Sequence, residues 1–135
     1  MKTCVFCRIA KNEIASKKVY ETDLTMVLLA KEMEVYAHTL IIPKQHYKNI
    51  TDIQTATLAD MMDVTKKILL HYTKKIWSTG ANIIAATGEG AQQSTPHFHF
   101  HILPRFENDG LDTWPKLPDI EVDQDELLKK IQIAE

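Results

Sequence analysis

Between Pro96 and Pro104 the chain reads His97, Phe98, His99, Phe100, His101, Ile102, Leu103, an alternation of imidazole and apolar side chains. Successive side chains of a strand point to opposite faces, so this pattern puts His97, His99 and His101 on one face. Phe98, Phe100 and Ile102 take the other face and belong to a core. Half of the six histidines lie in this one segment. Desolvating three imidazoles without partners is costly, which argues against a purely structural origin.

Two kinds of chemistry suit such a face. His-x-His on a strand can supply two ligands to a metal. Reach argues against a single ion shared by all three: at about 3.3 Å per residue the outer two Cα atoms lie roughly 13 Å apart, whereas zinc ligands converge to about 2.1 Å from the ion. The three histidines therefore have different jobs. The other chemistry is nucleophilic: an imidazole attacks phosphorus, a leaving group departs, and water hydrolyses the covalent intermediate. His99, flanked by both neighbours, is the candidate nucleophile. One of its ring nitrogens must then be unprotonated while an acceptor holds the other and fixes the tautomer.

The rest of the chain supplies a scaffold. Lys17 to Thr22 and Thr25 to Lys31 read as strands around Asp23, and Thr39 to Ile42 as a β-branched strand stopped by Pro43, suggesting a meander. From Asp52 to Trp77, Leu58, Met61, Ile68, Leu69, Tyr72 and Ile76 recur mostly at three- and four-residue spacing, the pattern of one long helix with Thr51 or Asp52 as N-cap. Ala81 to Ala86 is another strand. The turn at Gly88, Glu89 and Gly90 joins it to the His-rich strand as a hairpin. A tail follows Arg105 and ends in a short helix from Gln124 to about Ile131. Locally connected strands outnumber helices, predicting an α+β fold on an antiparallel sheet.

At 135 residues the chain fits one domain, and no repeat or low-complexity linker divides it. A net charge of -2 offers no clustered basic surface for nucleic acid or an anionic membrane, so neither partner is expected. Without a signal peptide or an apolar run of about 20 residues, the expected compartment is the cytoplasm, with nuclear entry open in a eukaryote. Cys4 and Cys7 are the only cysteines, too few for a disulfide scaffold. From spacing alone, small buried residues on a first helical turn are the better reading of this pair, and metal ligation the alternative.

The segment His97 to Leu103 resembles the signature of the histidine triad (HIT) family. Cys4 to Cys7, His38-Thr39-Leu40-Ile41-Ile42-Pro43-Lys44 and Gln93-Ser94 match the family in order and spacing, over roughly residues 4 to 105. The resemblance implies a homodimer whose five-stranded antiparallel sheets join across the interface, with one long helix and short terminal helices. It places residues 106–135 as a tail packing at the dimer or the active site. It also implies hydrolysis of purine nucleoside phosphoramidates or dinucleoside polyphosphates. By position, His99 becomes the nucleotidylated nucleophile, His101 and His97 support it, and His38 holds the network. Gln93 and Ser94 contact the phosphate or leaving group, and Leu29 with His99 and His101 completes the substrate contacts. His101 favours transfer to water, since a related transferase branch has Gln there.

The same resemblance reverses the reading of the cysteines. Members with this pair commonly bind a structural zinc through residues that here are Cys4, Cys7, His46 and His97. Such a Cys₂His₂ shell has no open position, and no catalytic cofactor is implied. His97 then supports the site without exchanging protons.

Three positions depart from the family pattern: Ala30 stands where an acid usually accepts from the ribose hydroxyls, Ala86 where Asn is common, and Gln92 where Gly precedes the Gln. A lost neutral hydrogen bond costs about 0.5 to 1.5 kcal/mol, so weaker nucleoside recognition is expected, with Glu32 and Glu89 as candidates to compensate. The departures also motivate an alternative, a nucleotide-binding or scaffold protein with weak hydrolysis. A metal-dependent hydrolase is a third reading. Met61 and Met62 read as core or dimer packing and His71 as a solvated or capping side chain. Trp114 reads as local packing or as reach toward a partner's site.

Overall fold

The computed structural model describes residues 3–134. Thr25–Leu29, an apolar run buried along nearly its whole length, forms β2 at the interior of a five-stranded sheet with β1 (Lys18–Glu21), β3 (Thr39–Pro43), β4 (Gly80–Ile84) and β5 (Phe100–Arg105). The strand order is β1-β2-β3-β5-β4 and every pairing is antiparallel. The first three strands make the expected meander, β4 and β5 the expected hairpin, and β4 is left at an edge.

The alternation along β2 and β3 decides what covers each face. Val27 and Ile41 join Phe98, Phe100 and Ile102 on the face packed by α2 (Thr55–Lys75), which contributes Met61, Val64, Ile68 and Tyr72. Met26, Leu28 and Ile42 point the other way, with Ile9 and the flanking Phe6 and Ala10 of α1 (Val5–Ala10). Burying each such large side chain contributes about 1.5–3 kcal/mol, so both helices are held mainly by side chains set on a period-two sheet. Met61 is in this core, whereas Met62, on the next position of α2, is exposed, as is His71.

The helix begins at Thr55, three residues beyond the expected start, with Gln54 as N-cap. The carboxylate of Asp52 accepts instead from the backbone N–H groups of Lys48 and Asn49, closing the turn that precedes the helix. Strand β5 likewise starts later than the alternation suggests. Only His101 of the three histidines lies in it, because the N–H of Phe98 donates to the carbonyl of Tyr47 at 2.7 Å, outside the ladder. The apolar half of the alternation holds, with Phe98, Phe100 and Ile102 all buried.

Beyond β5 the guanidinium of Arg105 donates to both carboxylate oxygens of Asp109, to Asn82, to Thr113 and to the carbonyl of Leu111. That network ties the base of the tail to β4. The tail's helix α3 (Gln124–Ile131) is N-capped by Asp123 and buries none of its residues. Trp114 is 87% exposed. No helix among the described residues is long and apolar enough to cross a membrane.

Candidate active site and metal centre

The register of the sheet sets His101 between β3 and β4, opposite Leu40 on one side and Ile84 on the other. Because Phe100 and Ile102 face α2, His101 faces the α1 side. His38 reaches it from just before β3: its Nε2 lies 2.9 Å from Nδ1 of His101. Ala37, at φ 61°, makes the bend that precedes His38. His38 is buried, and its Nδ1 has no hydrogen-bond partner among the described residues. Burial pushes His38 below the usual histidine range, with Glu34 opposing. Burial, then the charges of His99 and His38, push His101 down to about 4, again with Glu34 opposing. Both rings are thus held neutral, and one donates to the other.

The tautomer follows from the orphaned nitrogen. A buried N–H without an acceptor costs more than a buried lone pair without a donor, so the proton of His38 belongs on Nε2, from which it donates to Nδ1 of His101. His101 must then carry its own proton on Nε2. His99 is oriented differently, its Nδ1–H donating to the carbonyl of His97 at 2.9 Å. In the neutral ring this leaves the lone pair on Nε2. The His99 and His101 rings meet edge to face with centroids 4.8 Å apart.

His97 does not share this open face. It is fully buried, and its Nε2–H donates to the carbonyl of Pro43 at 2.8 Å, which leaves the lone pair on Nδ1. That nitrogen lies 3.2 Å from Sγ of Cys4, 3.6 Å from Sγ of Cys7 and 3.1 Å from Nδ1 of His46. Cys7 and His46 are 3.3 Å apart, and all four ligand atoms lie within 4.8 Å of one another. A tetrahedral zinc with bonds of about 2.0–2.3 Å separates its ligands by roughly 3.3–3.8 Å, close to these distances. The two thiols and two imidazoles fit such an ion in number and chemistry. The carbonyl of Pro43 is the kind of second acceptor that orients a ligating histidine. Burial, followed by neighbouring Cys4, pushes the Cys7 thiol up; a cation between the sulfurs acts in the opposite direction. Cys4 also caps α1, its sulfur accepting the N–H of Cys7.

A loop from Gly88 to Thr95 borders the histidines. Gln93 is spent on that loop: its Oε1 accepts from the N–H of Gly88, and its Nε2 donates to the carbonyls of Lys48 and Thr95. Ser94 beside it is exposed, and Leu29 is half-buried at the end of β2. Ala30 is buried and pairs through its N–H with the carbonyl of His38. Two residues were not singled out by sequence. Glu34, whose charge acts on both His38 and His101, carries no motif that separates it from Glu32. Phe6 packs edge-on against both His97 and His99, a contact invisible in local spacing.

Residues 11–108 match the family model described as the HIT domain. An uncharacterized HIT-like protein of Borreliella burgdorferi is 41% identical over 113 residues, covering 82% of this chain and 81% of the relative. An adenosine 5'-monophosphoramidase of Schizosaccharomyces pombe is 34% identical over 118 residues, covering 86% of each chain. Among solved structures, a protein of Streptococcus mutans superposes with a TM-score of 0.87 at 32% identity, over 98% of this chain and 85% of the other. A zinc-bound histidine triad family protein of Mycobacterium smegmatis does so at 0.78 and 31% identity, over 87% of this chain and 85% of the other. With its imidazoles divided between a relay and a ligand cluster on this sheet, the chain belongs to the HIT family.

Proposed function

We propose that this protein hydrolyses the P–N or P–O bond of purine nucleoside phosphoramidates or dinucleoside polyphosphates through a nucleotidyl-His99 intermediate. The observation that carries the reading is the 2.9 Å hydrogen bond from His99 Nδ1–H to the His97 carbonyl, which leaves Nε2 to attack. A bond forms from Nε2 to phosphorus as the bond to the leaving group breaks. The departing nitrogen or oxygen accepts a hydrogen bond from Nε2–H of His101 and takes its proton from solvent, and the His97 carbonyl steadies the positive charge on the substituted His99 ring. Water then attacks phosphorus as the bond to Nε2 of His99 breaks, its proton passes to solvent, and the nucleoside monophosphate leaves with His99 neutral again. His38 supports both steps by holding His101 in the tautomer that donates. Ser94 and the loop amides that Gln93 arranges would bind the phosphate oxygens, as preorganised donors do better than water. Leu29 would lie against the nucleoside.

Zinc at Cys4, Cys7, His46 and His97 would tie α1 to the histidine segment and leave the chemistry to the side chains. Residues 1–135 form one unit in this reading, with a core of about 4–105, and they assemble as a homodimer. The support is an exposed apolar face beside the edge strand: Met62, Leu69, Leu70 and Ile83 line a depression of about 280 Å³, with Leu70 60% and Ile83 45% exposed. The tail from residue 106 would pack at that interface or over the site. Sedimentation of wild type as a monomer would remove the dimer from the reading.

The decisive experiment is mass spectrometry after mixing with an adenosine phosphoramidate, quenched without acid because the P–N bond to histidine is acid-labile. An adduct the size of AMP in wild type and none in His99→Ala is the expected result. Ala30 favours one other reading, nucleotide binding without turnover, since its buried methyl group offers no acceptor for a ribose hydroxyl. Binding with neither adduct nor AMP release would select it.

A further inference from the structure

Phe6 stands between the two metal-binding cysteines and touches both halves of the site. Cys4 caps α1 and Cys7 follows on its first turn, so the helical turn that offers two sulfurs also projects the ring of Phe6. That ring meets His97 edge-on with centroids 5.5 Å apart and an interplanar angle of 84°, and His99 at 5.4 Å and 69°. His99 is otherwise oriented by one hydrogen bond at Nδ1 and by the edge of His101. A single hydrogen bond at one corner of a ring leaves rotation about that bond soft, and two edge-to-face neighbours remove it. Such contacts contribute about 0.5–1.5 kcal/mol each, enough to choose between orientations though not to hold a fold. α1 itself is short: six residues with Ile9 as its one buried side chain, and a helix of that length does not persist in water unaided.

We propose that Phe6 is a positioning residue for His99, and that the cysteine clamp acts on catalysis by pressing α1, and with it Phe6, against the nucleophile. This rests on His99 being the nucleophile. Metal at the clamp would then support turnover without touching substrate, through one aromatic side chain.

The test compares wild type, Phe6→Leu and Phe6→Ala, each zinc-loaded and chelator-treated. Zinc content and thermal unfolding show whether the loaded variants keep the clamp and the fold. Single-turnover adduct formation with adenosine phosphoramidate is expected to fall roughly tenfold to a hundredfold in Phe6→Ala, the scale of a small misplacement, with KM within about twofold and partial recovery in Phe6→Leu. Chelation is expected to slow wild type by a similar factor and to add little in Phe6→Ala, because both remove the same contact. Relaxation of the His99 ring carbons tests the positioning without substrate. The ring is expected to be ordered in loaded wild type and mobile in Phe6→Ala and after chelation. A raised KM at unchanged adduct rate would overturn the proposal by making Phe6 a binding surface. So would fully additive losses, or an equally ordered ring in Phe6→Ala. Absence of adduct in wild type with the ring behaving as expected would sink the hydrolase reading and leave the positioning standing.

Discussion

Two clusters of imidazoles sit side by side in this protein, and their nitrogens are disposed in opposite ways. Around His97 the hydrogen-bonding proton is turned outward to Pro43, so that a lone pair converges with His46 and two sulfurs on one point. Around His99 and His101 nothing converges: His38 donates to His101, His99 donates to a carbonyl, and each ring keeps one nitrogen uncommitted. Convergent lone pairs hold a cation, whereas a relay with free nitrogens moves protons or attacks. Residues of one type, two positions apart, are sorted into these roles by which backbone carbonyl each can reach.

Removing the nucleophile should therefore spare the metal-ligand cluster. His99→Ala is expected to lower turnover by at least on the order of 10³, while zinc content stays that of wild type. Loss of zinc in that variant would break the division. In the other direction, Cys7→Ser or chelation is expected to cost stability, about 4 kcal/mol where zinc stands a thousandfold above its Kd, in addition to the slowing transmitted through Phe6. Urea unfolding with and without chelator measures it, and an unchanged midpoint would remove the ion from the fold.

How much of this division was legible in sequence depends on range. The alternation from Phe98 to Ile102 was enough to place three side chains in the core, because period two is a local property. The fate of His97 was not local. It depends on the carbonyl of Pro43 and on a cysteine 93 positions away, and only the resemblance to a family brought Cys4 and His46 into view. The late start of β5 has the same origin, since the partner of the Phe98 N–H is Tyr47. Asp52 was legible as a capping residue but not which turn it would close. Gln93 was legible as part of a site motif, whereas its engagement with Gly88, Lys48 and Thr95 appears only when two loops meet.

The relay carries a pH signature that sharpens the contrast. In the folded protein burial pushes His101 down to about 4 and shifts His38 the same way, while unfolded histidine titrates at about 6.5. The unfolded chain thus binds protons first as pH falls. The stability conferred by neutral burial is full above about 6.5 and is lost progressively as pH falls through 4. Urea midpoints measured from pH 7.5 to 4 should decline over this window, and less steeply in His101→Gln. An equal decline in both proteins would assign the loss to other groups.

The smallest effect expected lies in the loop that leads into the histidine segment. Gln92 adopts φ 65° and ψ 35°, the left-handed region. A side chain in that conformation costs roughly 1–2 kcal/mol, whereas glycine avoids the clash but loses about 0.5–1 kcal/mol more backbone entropy on folding. The balance for Gln92→Gly is a stabilisation between zero and about 1.5 kcal/mol. Strain of this kind persists only where the surroundings over-determine the backbone, and here they do: the N–H of Gln92 donates to the Glu89 carbonyl, and the side chain of Gln93 grips Gly88. Because the metal cluster lies outside this loop, zinc content should be unchanged in Gln92→Gly. If the substitution instead destabilises the protein by 1 kcal/mol or more, the Gln92 side chain contributes contacts that outweigh its backbone, and the loop is held by more than the grip of Gln93.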